Sequence, residues 1–173
     1  MEKETKKSSL ASSAFTYGLI TAVGMIVLTL LMYVLNLMTV QWISYLAYVI
    51  ILAGIIWGTL KFRDEDSGGF ISYGKALGYG TLLSLFAALI SGVFIFVFYQ
   101  YIAPDAMEQL KAVAAENVLE ANPEITDQQL DMILRFTSPI VISISSIFST
   151  TFLGFVFSLV TSAFIKRKDP EEM

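Results

Sequence analysis

Nine hydroxyl-bearing side chains crowd the last apolar stretch of the chain: Ser143, Ser145, Ser146, Ser149, Thr150, Thr151, Ser158, Thr161 and Ser162. Two kinds of chemistry use such a cluster. A serine attacks an acyl group when a base takes its proton, and a row of hydroxyls lines a polar path through apolar surroundings. The first needs a partner that is missing, because the chain contains no His and no Cys. The usual neutral-pH base and the commonest zinc ligands are thereby absent. No Lys is placed to substitute, since Lys75 stands at the end of an apolar stretch and can reach water. A polar path would use Ser143, Ser146, Ser149 and Thr150. The competing reading is that each hydroxyl bonds the carbonyl one turn back in its own helix.

Carboxylates offer little more. Asp64-Glu65-Asp66 followed by Gly68 resembles a calcium loop, but lacks the alternating ligand spacing and terminal Glu. It reads as a solvated turn. No catalytic residue, cofactor or metal is therefore expected, and an enzyme is not. The apolar stretches also carry no Asp, Glu, Lys or Arg in their middles. Ion-coupled transporters need such groups inside the membrane, so a passive pore or carrier is the only transport reading left.

Small residues form the strongest pattern. Ala76, Gly80, Ser84, Ala88 and Gly92 recur every fourth position, Gly74 and Gly78 make a second pair, and Gly54 and Gly58 a third. Ser145 with Ser149 and Ser146 with Thr150 repeat the spacing. In lipid, apolar burial does little to drive helices together, so interfaces use small residues that permit close approach. These positions serve either packing within one bundle or contact between protomers.

The elements that must position these residues are membrane helices. Hydrophobic residues make up 55% of the chain and charged residues 15%, against about 25% charged in soluble domains. Mean hydropathy is +0.68. The net charge of −4 is no nucleic-acid footprint, because the basic residues lie in short groups. No charge occurs from Leu10 to Leu60, too long for one helix across a ~30 Å core. Asn36, Thr39 and Gln41 break it, with Trp42 and Tyr45 suited to an interface. Expected spans are Ala14–Met38, Trp42–Leu60, Tyr73–Ala103 and Pro139–Ile165. Lys6, Lys7 and the Ala11-Ser12-Ser13-Ala14 segment superficially resemble a secretion signal. The apolar run is longer than the ~7–15 residues of such a signal, so it reads as an uncleaved first span.

Gly68 and Gly69 interrupt the helices between spans two and three. Residues 104–137 form the only sizeable segment outside the spans, with a net charge of −5. Met107, Leu110, Val113, Ala114 and Val118 lie at helical spacing until Asn122-Pro123. Thr126 and Gln129 then make a capping-box pattern. The apolar positions Leu130, Ile133, Leu134 and Phe136 suggest a helix resting on the membrane or on the bundle. Ser138 and Pro139 suit the N-cap and first position of the last span. A faint repeat at an offset of 56 aligns Phe15-Thr16-Tyr17-Gly18 with Ile71-Ser72-Tyr73-Gly74, Ala22 with Gly78 and Gly24 with Gly80. Small residues are common enough in membrane helices to produce it without duplication.

Nine of the eleven basic residues, Lys3, Lys6, Lys7, Lys61, Arg63, Lys75, Lys166, Arg167 and Lys168, fall on one face of this threading. Only Lys111 and Arg135 fall on the other. Basic residues flanking spans stay in the cytoplasm, which places both termini there.

Gly68-Gly69-Phe70-Ile71-Ser72-Tyr73-Gly74-Lys75-Ala76 leading to Gly78, Asn122-Pro123-Glu124 with Gln128-Gln129, Phe136-Thr137-Ser138-Pro139, and the Lys-rich end carry a resemblance. Over about residues 10–168 the chain resembles a bacterial membrane family, domain of unknown function 4199. The resemblance implies four spans, a long loop before the last, and the inner membrane of a Bacteroidetes-type bacterium. It implies no catalytic residues.

The expectation is an all-α, integral membrane four-helix bundle with a short helical hairpin outside the membrane between helices three and four. Its partners would be membrane lipids, further copies of itself or other membrane proteins. The leading functional reading is a non-catalytic packing or assembly subunit. The alternative is a passive pore or carrier for a small neutral or lipid-like molecule, and an enzyme acting on lipids ranks below both. A reporter fused after Met173 is expected to stay cytoplasmic, and a tag near Asn117 to be labelled from outside. The opposite labelling would reverse every assignment of face.

Overall fold

The computed structural model describes residues 9–38 and 40–167, apart from the side chain of Gln41. Lys3, Lys6, Lys7, Lys168, Thr39 and the Gln41 side chain, all used above, lie outside that description. The described chain is helical, and four helical segments are long and apolar enough to cross a membrane.

Helix α1 is Leu10–Val34, displaced by four residues from the expected Ala14–Met38. It starts early because Ser9 caps it, its Oγ accepting the Ser12 N–H at 3.2 Å. It stops early because Asn36 turns into the left-handed region, with φ of 55°. Asn36 N–H then donates to Tyr33 O at 3.0 Å and Leu37 N–H to Met32 O at 2.7 Å. These two bonds form a Schellman closure, and Asn is among the few non-glycine residues that accept that conformation.

The second span is not one regular helix from Trp42 to Leu60. A short α2 (Gln41–Ser44) leads through Tyr45 into α3 (Leu46–Lys61). A π turn at Phe62–Asp66 then carries the helical path past its expected end. Charges do not stop a helix that has left apolar surroundings. Here Lys61 pairs with Glu65 at 2.6 Å and Arg63 with Asp64 at 2.7 Å. The stop comes at Gly68 and Gly69, with φ of 68° and 86°.

Helix α4 (Tyr73–Val97) begins at Ser72, whose Oγ accepts the Lys75 N–H at 3.4 Å. A second π turn, Phe98–Ile102, extends it to the expected boundary. Helix α5 (Pro104–Ala121) follows at once, and α6 (Asp127–Arg135) opens with the expected Thr126–Gln129 capping box. Helix α7 is Pro139–Ile165 as expected, although Ser138 makes no side-chain capping bond; Pro139 alone supplies the start. No residue of α6 is fully buried, although Leu130 and Leu134 are half-buried and the helix touches α5. Its Met132, Ile133 and Phe136 are exposed.

Helix α4 packs against α1, α3 and α7 and is the centre of the bundle. Its most apolar window is 39% buried, against 17%, 28% and 11% for the first, second and fourth spans. Two clusters mark the two ends. At the end where α1 begins and α7 finishes, Ile51, Ile55, Phe62, Tyr79, Leu83 and Ile165 are buried together. At the opposite end, below α5, Phe98, Ala103 and Ala106 pack with Tyr33, Met38, Phe94 and Tyr99. These are called the basic end and the hairpin end.

The repeat offset does not relate the helix starts of the two halves, although the aligned Gly24 and Gly80 each meet a side chain of the following span, Ile50 and Ser158. Moving the cap Ser9 by the repeat offset lands on Glu65 inside the π turn, not on Ser72. The aligned Gly18 and Gly74 also differ, the first pressed against Leu83 and Phe86 and the second facing open space.

Asn36→Gly is expected to leave stability nearly unchanged, whereas Asn36→Val should cost about 1–2 kcal/mol, because only the latter strains the left-handed turn. Thermal unfolding of the two variants in one detergent checks this; equal losses would dismiss the closure at Asn36.

Candidate functional site

The five-residue stripe on α4 is spent inside the bundle. A methyl group at Gly80 would overlap the Ser158 side chain and lie 3.1 Å from Ile55 Cγ2. One helical turn on, the relation reverses, and Ser84 occupies the space beside Gly154. At Gly92 the neighbour is Ile147. Ala76 and Ala88 are buried along the same face. Small residues of α4 and α7 thus alternate as space and filler. The seryl hydroxyls satisfy themselves at no cost to the seam. Ser84 Oγ donates to Gly80 O at 2.8 Å and Ser158 Oγ to Gly154 O at 2.7 Å.

Gly54 and Gly58 do the same for α3, receiving Thr21 from α1, and Leu83 with Tyr17, respectively. Gly74 and Gly78 do not. Nothing stands within 4 Å of a methyl group placed at either, and both are exposed. They border a shallow outward groove with Leu77, Thr81, Leu85 and Phe155.

The polar path on α7 is not assembled. Ser143 is buried, but its Oγ donates to Pro139 O at 2.6 Å; Ser146 Oγ donates to Ser143 O at 2.8 Å. Ser149 is exposed and Thr150 half-buried. None of the four lines a cavity described below. The cause is the one that competed with the path from the start: a hydroxyl one turn from a carbonyl of its own helix bonds it.

The principal cavity lies elsewhere, at the hairpin end. Close approach of α1 and α3 depends on Gly54 and Gly58 on α3 and on Gly24 on α1, where a methyl group would lie 3.2 Å from Ile50 Cγ2. Beyond these glycines α1 presents Met25, Leu28, Thr29 and Met32, and a chamber of about 300 Å³ opens toward Ala47, Ser91, Phe94 and Ile95. Of its four hydroxyl-bearing lining residues, Thr29 and Ser91 bond their own helices, Thr29 Oγ1 donating to Met25 O at 3.0 Å and Ser91 Oγ to Ala87 O at 2.7 Å, while Ser44 and Tyr99 stand where it meets a second chamber. What remains is apolar and flexible, because methionine adapts to irregular space.

A second chamber of about 310 Å³ shares Met38, Ser44, Tyr99 and Leu110 with the first. It adds Ala106, Gln109, Val113 and Asn117 from α5. The two adjoin at these residues, the first mostly apolar and the second, under α5, mixed in polarity. The roof is fastened at its first turn. Tyr33 OH donates to Asp105 Oδ1 at 3.0 Å and Oδ2 at 3.3 Å, and Ala106 and Met107 are buried. The sequence reading missed this site. Its one trace was Met25 and Met32, seven apart and so on one face of α1.

The basic end is closed by specific contacts. Phe62 stacks on Tyr79 at 4.6 Å, and Tyr79 OH lies 3.0 Å from Ser13 Oγ. Lys75 Nζ sits 5.2 Å over the Phe62 ring. Arg63 donates to Ile165 O at 3.2 Å, and Ile71 and Arg167 exchange backbone hydrogen bonds of 3.0 and 2.9 Å. Asp64 and Glu65 are engaged by Arg63 and Lys61, which fits a structural turn.

Gly80→Leu or Gly154→Leu is expected to destabilise the protein by about 1–3 kcal/mol or more through overpacking. Gly78→Leu should stay within about 0.5 kcal/mol of the parent. Unfolding curves that rank Gly78→Leu with the other two would refute the seam.

No curated protein and no solved structure matches the chain. A family described as a protein of unknown function (DUF4199) matches residues 16–167, which takes in most of the first apolar span, the other three and the α5–α6 hairpin. The chain belongs to the DUF4199 family.

Proposed function

We propose that this protein is a non-catalytic, multi-pass protein of a bacterial inner membrane that holds a small neutral or lipid-like molecule in the cavity at its hairpin end. The single observation that carries the reading is the pair of adjoining chambers, one mostly apolar around Met25 and Phe94 and one lined by Gln109 and Asn117 of α5. Ligand sites are mostly apolar with a few placed polar groups, and this space has that composition. The packed basic end, where Tyr79, Ile55 and Leu83 are fully buried, favours a holder or carrier over a pore. Catalysis finds no support in a chain without His or Cys. Lys61, Arg63, Lys75, Lys166 and Arg167 gather at the basic end, which supports a cytoplasmic position for that end and both termini.

A second reading, the assembly subunit, is favoured by Gly74 and Gly78. Their open, exposed spacing suits close approach of another helix, from a second copy or another membrane protein. The α4 stripe, with Gly54 and Gly58, no longer speaks for association, being consumed within the bundle.

Native mass spectrometry of the protein in discs cut from its own membrane tests both readings. One retained amphiphile, lost in Thr29→Trp where the indole fills the chamber, is expected. A protein that emerges empty sinks the binding reading. In the same spectra Gly74→Leu with Gly78→Leu should shift oligomers toward monomer, and an unmoved distribution removes the assembly reading.

A further inference from the structure

We infer that the occupant of the cavity is a single-chain amphiphile with an uncharged, hydroxyl-bearing head, its chain in the apolar chamber and its head beneath α5. The inference rests on the binding reading above and specifies the ligand class for the same site.

The chain end follows from the walls. No charged side chain lines either chamber, and in the first the hydroxyls of Thr29 and Ser91 are bonded to their own helices, leaving only Ser44 and Tyr99, at its border with the second. A polar group pushed to that depth would lose its water and gain no partner there. Each chamber sits at the small end of the ~300–1,000 Å³ range of ligand sites. A narrow chamber between α1 and α4 suits one hydrocarbon chain and not a pair.

The head follows from α5. Ala106, Gln109, Leu110, Val113 and Asn117 lie at helical spacing on the face turned to the cavity. Gln109 and Asn117 stand two turns apart on that face, and each carboxamide both donates and accepts. Hydroxyl groups, which also do both, are matched by such a pair. An anionic head is disfavoured twice. No cation lines the site, and α5 itself carries Asp105, Glu108, Glu116 and Glu120 against Lys111 alone. A cationic head finds no carboxylate within the lining to pair with.

The test equilibrates the disc-embedded protein with equal amounts of monolauroylglycerol, laurate and lauryltrimethylammonium, which share one apolar end and differ in head. Adducts are counted by native mass spectrometry. The glycerol ester is expected to exceed laurate by about tenfold, and Thr29→Trp to abolish its adduct. Gln109→Lys, at an exposed position that does not threaten folding, should shift the ratio toward laurate by about tenfold. Equal adducts from all three heads, or a preference for either charged head, would overturn the head assignment and leave the binding reading standing. Absence of every adduct, or adducts indifferent to Thr29→Trp, would overturn both.

Discussion

How closely α4 approaches its neighbours decides the rest of this structure. Where Gly80 faces Ser158 and Ser84 faces Gly154, the two backbones are separated by little more than one small side chain. Dispersion between tightly fitted surfaces falls off steeply with separation, so the seam holds only if nothing larger enters it. The same economy joins α3 to α1 at Gly54 and to both α1 and α4 at Gly58. Large apolar side chains such as Phe148, Phe152 and Phe164 are then left facing outward, exposed on α7. In lipid such a surface costs nothing, and that is consistent with four spans long and apolar enough to cross a membrane.

The limit of close approach also opens the cavity at the hairpin end. Glycine contacts hold α1 and α3 together as far as Gly24 and Ile50. Past that point the facing residues are Met, Leu and Thr, the helices no longer touch through glycine, and space opens between them. The π turn at Phe98–Ile102 and the Pro104 start of α5 bring a helix across the opening. The roof is amphipathic in a useful direction, with carboxamides toward the cavity and most carboxylates away from it. Packing at one end and open space at the other are consequences of where small residues occur along the same helices.

Much of the architecture was legible in the residues. The last span ran from Pro139 to Ile165 as read, because a proline start and a basic finish are local signals. Thr126 and Gln129 formed their capping box, and Asn36 made the break it had marked. The errors were also local. A serine at position 9 started α1 early, and helical structure continued through Arg63-Asp64-Glu65, where charge had suggested a loop. The family relation, carried by turn and packing residues, was readable before the fold was known.

What the sequence determined by itself was the set of elements: four apolar helices, their order, the Pro139 start of the last, the Thr126 capping box, and the absence of His and Cys that narrows the chemistry. Only the tertiary structure decided what each element faces. Gly78 and Gly80 lie two residues apart on one helix and meet opposite fates, one open and one filled by Ser158. Spacing reveals which residues share a face, but not which distant segment covers it. The types of the α7 hydroxyls allowed either a path or bonds to their own helix, and only the structure shows the latter at Ser143 and Ser146. The cavity was less visible still. It is a gap between α1, α3 and α4 under α5, and a gap has no residue of its own to be read.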